Sequence, residues 1–160
     1  MAVEDILLLG NPLLYEKAEL VEQQEVNALV PKIDLMFDTV LDFRKKYGVG
    51  RAIAAPQIGL LKRIICLNIN KPVAIINPQF SNLSSELFEV WDDCMSFPNL
   101  LVKVKRHKKL TLTFDDINWQ KQTWHLQDDM AELIQHEYDH LDGILATQKA
   151  IDNLSFRWKK

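Results

Sequence analysis

His136-Glu137-Tyr138-Asp139-His140 is the stretch of this chain best suited to do chemistry. On a helix, two histidines four residues apart project from one face, one turn above the other. That spacing lets both imidazoles grip a single metal ion. The glutamate beside the first is then placed to take a proton from a water that the ion activates. A metal next to a general base is hydrolytic machinery.

Three protein ligands leave one position open for that water, so a third ligand is needed. The stretch begins like the longer metzincin pattern, but Ala146 stands where its last histidine should fall, so that reading fails. His107 and His125 lie in polar or strand-like runs, where alternating surface positions explain them better than ligation. Cys94 is the stronger candidate. It follows Asp92 and Asp93 in a segment that reads neither as a plain alternating strand nor as a plain turn. Cys66, inside an apolar run, reads as a small buried core residue. A third segment, Gly50-Arg51-Ala52-Ile53-Ala54-Ala55-Pro56-Gln57-Ile58-Gly59, carries small residues and one glutamine. It reads either as backbone that approaches something closely or as a linker.

These residues need elements to position them. Asp128-Asp129 precede the periodic run Met130, Leu133, Ile134 and Leu141, and Asp129 with Glu132 has the form of a capping box. Gly143 closes the segment as a C-terminal cap would. On this helix Leu133, His136, Glu137 and His140 share the inward face. Val26, Leu29, Ile33, Met36, Phe37 and Val40 predict an earlier helix ending at Gly48, and Pro31 places its regular start near itself. Strand-like runs follow at 63–69, 73–76, 100–104, 110–114 and 121–126, with turns expected at Asn77-Pro78 and Asp115-Asp116-Ile117-Asn118. Strands flanked by two helices predict an α+β fold with mostly antiparallel pairing.

With 160 residues, 48% of them hydrophobic, the chain is expected to form one domain over 1–160 with a real core. A net charge of −3 gives no strong pull on nucleic acid, and no direct nucleic-acid binding is expected. The cluster Lys103, Lys105, Arg106, Lys108 and Lys109 reads as a solvated strand face. Two cysteines give no disulfide framework and suit a reducing cytoplasm. Ile6-Leu7-Leu8-Leu9 is too short for a signal sequence or a membrane span.

Three segments together resemble a known family. Gly50-x-Ala52-Ile53-Ala54-Ala55-Pro56-Gln57, then Asp92-Asp93-Cys94-Met95-Ser96, then Gln135-His136-Glu137-Tyr138-Asp139-His140 are similar to the three motifs of the peptide deformylases, in order and at about their spacing. The resemblance implies a hydrolase that removes formyl from the N-terminal methionine of newly made peptides. It implies Cys94, His136 and His140 as ligands of one divalent ion, Fe(II) in vivo, with Zn(II), Ni(II) or Co(II) also accepted. Glu137 would be the general base, with the Gln57 amide and the Met95 backbone N–H stabilising the oxyanion. The backbone of Gly50, Arg51 and Ala52 would hold the formylated peptide, including nascent chains at the ribosome. Asp92 would pair with Arg106, and a monomer is expected.

The chain also departs from the family pattern. Ala52 stands for a glycine, Arg51 for an aliphatic residue, and Asp92, Asp93 and Met95 for glutamate, glycine and leucine. Glu132 and Asp129 fall near positions that line the family's side-chain pocket, although Glu132 also reads as part of the helix cap. The ligands and base are intact, so two further readings stand beside the first. One is an amidohydrolase of the same fold for a different N-formyl or N-acyl substrate, with Arg51 facing the groove. The other is a catalytically silent metal-binding protein, against which the intact Glu137 and Gln57 argue.

Overall fold

The computed structural model describes residues 3–159, apart from the side chain of Glu4. Helix α1 spans Val26–Tyr47 and ends at Gly48, whose φ of +77° carries its N–H back to the Arg44 carbonyl. The helix runs through Pro31 rather than starting near it. Pro31 is exposed in the second turn, where its missing N–H forfeits one bond at an end already short of partners. The buried stripe Ile33, Met36, Val40 and Phe43 fixes which face of α1 turns inward.

Eight strands follow: β1 (Ala52–Ala54), β2 (Ile64–Asn68), β3 (Pro72–Ser81), β4 (Leu87–Asp92), β5 (Leu100–His107), β6 (Lys109–Asp115), β7 (Lys121–Gln127) and β8 (Phe156–Trp158). They form a five-stranded sheet in the order β1-β2-β3-β6-β7 and a three-stranded sheet in the order β4-β5-β8. Every pairing between these strands is antiparallel, as the α+β expectation had it. Helix α2, Asp128–Leu141, touches β1, β2, β6 and β7 of the larger sheet and β5 of the smaller one.

At β2 the larger sheet is buried on both faces. Ile64 and Cys66 of β2 pack with α1, while Ile65 and Leu67 face the cluster that holds Ala131, Ile134 and Leu141 of α2. This is why the run around Cys66 reads as continuously apolar rather than alternating. A third cluster, with Val102 and Val104 of β5, packs under Cys94, Phe97 and Leu145.

Two expectations are corrected here. Asn77-Pro78 is not a turn. It lies within β3, where Asn77 takes φ +51° and the register with β6 shifts between Ile76 and Gln79. A bulge accommodates a residue without an N–H at no cost to the ladder. The Asn77 side chain also bonds both the N–H and the carbonyl of Val21, at 2.9 and 2.8 Å. Secondly, Arg106 is no part of a solvated lysine face. It alternates inward with Val102 and Val104 along β5 and is 2% exposed. The short strands β1, β4 and β8 add to the five expected runs.

Candidate active site and metal centre

Helix α2 is fastened before it presents anything. The Gln135 carboxamide accepts from the His107 N–H and donates to the His107 carbonyl, each at 2.8 Å, tying the helix to β5. Arg63 closes the other end by donating to the Leu141 carbonyl at 3.0 Å and pairing with Asp142 at 3.0 Å. At Gly143, φ is +72° and a Cβ would stand 2.5 Å from the Tyr15 carbonyl oxygen. Only a glycine fits so close an approach.

Held in this way, α2 buries His136, Glu137 and His140 together. Cys94 comes from the loop that leaves β4, and its sulfur lies 3.3 Å from His140 Nε2. One ligand atom from each of Cys94, His136 and His140 lies within 4.8 Å of the others. The two remaining histidines stay away from this group: His107 Nδ1 meets the Ser84 carbonyl at 2.7 Å and His125 Nδ1 meets Thr111 at 3.2 Å.

The surroundings act on the two histidines in opposite directions. Asp92 accepts from His136 Nδ1 at 3.0 Å, which turns the other ring nitrogen toward Cys94. Burial alone would lower the His136 pKa, yet the Cys94 sulfur and Asp92 outweigh it and raise it well above the usual range. Burial pulls His140 down, helped by the charges of His136 and Arg106. Asp92 is held low against its own burial by His136 and Arg106. A thiolate with two imidazoles is a donor set for a first-row divalent ion, and the residues present fit one.

Glu137 is buried with one carboxylate oxygen that has no hydrogen-bond partner among the described residues. Burial raises its pKa to about 7, with His136 opposing. Gln57 lies in the tight turn Ala55–Ile58. Its side-chain oxygen Oε1 accepts from the Ala54 N–H at 3.0 Å, so its side-chain nitrogen Nε2 faces Ser96 Oγ at 3.1 Å and Cys94 Sγ at 3.6 Å. The chain near the N-terminus joins the two loops: the Leu7 N–H donates to the Gln57 carbonyl at 2.8 Å and the Leu9 N–H to the Ser96 carbonyl at 2.9 Å.

A cavity of about 420 Å³ opens beside the group, and Gly50, Arg51, Ala52, Met95, His136 and Glu137 all line it. β1 is the edge of its sheet. The expected capping box is absent: the N-cap is Gln127, without a side-chain bond. Asp129 instead pairs with Arg51 at 2.8 Å. Glu132, 3.8 Å from the same guanidinium, lines the cavity rather than serving the cap. Burial and the neighbouring Asp92 raise its pKa to about 8.

Four residues at the site were not foreseen. Ser96 partners Gln57. Asp139 takes the second nitrogen of Arg106 at 2.6 Å. Arg44 donates to the Gly50 carbonyl at 2.9 Å and also to the Asn68 carbonyl. Lys159 meets Asp93 at the cavity rim, 3.0 Å apart. The first two sit inside the motif segments, so adjacency was a usable signal. Lys159 is far away in sequence, and Arg44, six residues before Gly50, lies in the last turn of a helix outside the motif, so neither carried a signal.

The sequence profile for polypeptide deformylase matches residues 3–155. The chain belongs to the polypeptide deformylase family. Peptide deformylase 2 of Nostoc sp. is 36% identical over 163 residues, covering 94% of this chain and 87% of that deformylase. The crystal structure of the Thermotoga maritima deformylase superposes with a TM-score of 0.83 at 28% identity, over 92% of this chain and 97% of that one. A Synechococcus elongatus deformylase, crystallised in complex with actinonin, gives 0.81 at 26% identity over 94% and 80%. The chain is thus a deformylase-type hydrolase in fold and family. Deformylases are metal-dependent, and Cys94, His136 and His140 form a group able to hold an ion. Among the described residues, no helix is long and apolar enough to cross a membrane.

Proposed function

We propose that Cys94, His136 and His140 hold one divalent ion, Fe(II) in the cell, and that this single domain over 1–160 removes formyl from N-formylmethionyl peptides. The observation that carries the reading is the buried ligand group with Glu137 beside it, both opening on one cavity. When bound, the ion supplies Lewis acidity and brings the pKa of a water toward neutrality.

The chain's own residues do the rest. Gln57, fixed by Ala54, and the backbone N–H of Met95 hydrogen-bond the formyl oxygen as it gains charge. One such donor is typically worth about 10²–10³-fold in rate. Glu137 takes the proton of the attacking water as its oxygen adds to the formyl carbon. It returns that proton to the amine nitrogen as the C–N bond breaks, leaving formate and a free amino terminus. A carboxyl raised to about 7 by burial is matched to taking and giving a proton near neutral pH. The edge strand β1, with Gly50, Arg51 and Ala52 on the cavity, supports holding the peptide as an added strand. Arg44 keeps that edge in place from α1. Substrates would include nascent chains at the ribosome, met in the cytoplasm by a monomer.

The test is formate release from formyl-Met-Ala by protein loaded anaerobically with Fe(II), then chelated, then reloaded. Turnover that disappears and returns with the metal supports the reading; a loaded protein that releases no formate from any formyl-peptide refutes it.

A further inference from the structure

A formyl carbon at the Cys94, His136 and His140 group places the first substrate side chain in the adjoining cavity, because the α-carbon is one amide bond away. The step beyond rests on the deformylase reading and concerns what that side chain is. Phe43, Val49, Met95 and Leu133 make part of the lining apolar. The rest is charged. Arg51 stands just before β1 and reaches over to α2, donating from Nη1 to Asp129 at 2.8 Å. Its Nη2 is 3.8 Å from Glu132, beyond hydrogen-bond distance.

A guanidinium carries five N–H donors in a fixed fork. Among the described residues Asp129 is the one hydrogen-bond partner of this guanidinium, and the Arg51 side chain remains 34% exposed, so water serves the other donors. A side chain that fills the cavity displaces that water. A methyl or thioether end offers no acceptor worth the loss. An oxygen acceptor restores the bond, and restores it to a charged donor. Of the other cations in the lining, Lys159 is paired with Asp93 and Arg44 is held by the Gly50 and Asn68 carbonyls, while an anionic end would meet Asp129 on the Arg51 guanidinium itself, which disfavours a carboxylate relative to a neutral oxygen.

We propose that, among the unbranched side chains of methionine length that this pocket admits, it favours one ending in a neutral hydrogen-bond acceptor, as in methionine sulfoxide or glutamine, over an end without one, and that Arg51 sets this preference.

The experiment measures kcat/KM of the Fe(II)-loaded protein on formyl-X-Ala, with X methionine sulfoxide, glutamine, glutamate or norleucine. The sulfoxide-to-norleucine ratio is expected to be at least tenfold higher in wild type than in Arg51→Leu, with glutamine ahead of glutamate in wild type. A ratio that Arg51→Leu changes less than twofold overturns the proposal. So does a wild type that favours norleucine tenfold, whatever the variant does. Failure to turn over any formyl-peptide would count against the deformylase reading alone. The pocket is then judged by calorimetric binding of the unformylated dipeptides to the loaded protein: tighter sulfoxide binding that Arg51→Leu abolishes supports the proposal, and equal or weaker binding overturns it.

Discussion

The Asp92 carboxylate meets the Arg106 guanidinium at 2.5 Å, with side chains 0% and 2% exposed. The pair does more than neutralise itself. Asp92 also accepts from His136 Nδ1, and Arg106 reaches on to Asp139 on α2, which Lys149 meets at 3.0 Å from outside. Alternating charges therefore run from His136, a proposed metal ligand, to the surface. The guanidinium fork suits this bridging between two carboxylates, which a lysine's single ammonium does not reproduce.

Replacing Arg106 by Leu leaves the buried Asp92 with His136 alone and Asp139 with Lys149 alone. Breaking a buried pair from one side typically costs about 3–5 kcal/mol, and losing the support of a ligand histidine about 10–100-fold in metal affinity or activity. Urea unfolding and metal titration should both show the loss, with Arg106→Lys recovering only part of it. An Arg106→Leu protein that binds metal as wild type does would show that the Asp92–His136 contact orients the ring unaided.

Gly143→Ala should destabilise the fold although the added methyl would meet the N-terminal segment and no site side chain. The new methyl would have to occupy space 2.5 Å from the Tyr15 carbonyl oxygen at a φ of +72°. Either the N-terminal segment or the end of α2 must move. A loss of about 1–3 kcal/mol is expected for strain of this kind, read as a lower urea midpoint with an unchanged slope. A midpoint equal to wild type would mean that the segment yields freely.

Glu132 predicts a pH dependence. Its folded-state pKa, raised to about 8 by burial and by Asp92, lies above the ordinary glutamate value of ~4.3. Folding is therefore favoured by the protonated carboxyl below about pH 4.3, and that contribution is lost as pH rises through about 8. Glu132→Gln never ionises. Its stability relative to wild type should rise steadily between about pH 5 and 8 in thermal melts of the metal-free protein. A gap that stays constant over this range would place the wild-type pKa near its ordinary value.

How far the site was legible follows from where its information lies. His136 and His140 could be read from local geometry, because a helix turns spacing into direction. Cys94 could not, since its place beside them is set by the loop after β4; it came from resemblance to a family. The same limit explains the errors. Acidic residues at a helix start suit a cap equally well wherever the helix is, so nothing local showed that Asp129 and Glu132 face Arg51. Arg106 is flanked by lysines in sequence, and only the alternation of Val102 and Val104 marked it as inward. Asn77-Pro78 carries turn residues because bulges need the same backbone freedom. β1 and β8, three residues each, are too short for any period to show.

Glu137 tests the account most directly, because it should matter to turnover and not to the metal. Wild type and Glu137→Ala are loaded with Fe(II), and metal content and formate release from formyl-Met-Ala are measured on the same samples. The expected result is one bound ion in each protein and a kcat for the variant at least about 10²-fold lower, the scale of general-base catalysis. A fully loaded Glu137→Ala protein that keeps a larger share of the wild-type rate would contradict the mechanism drawn from this site.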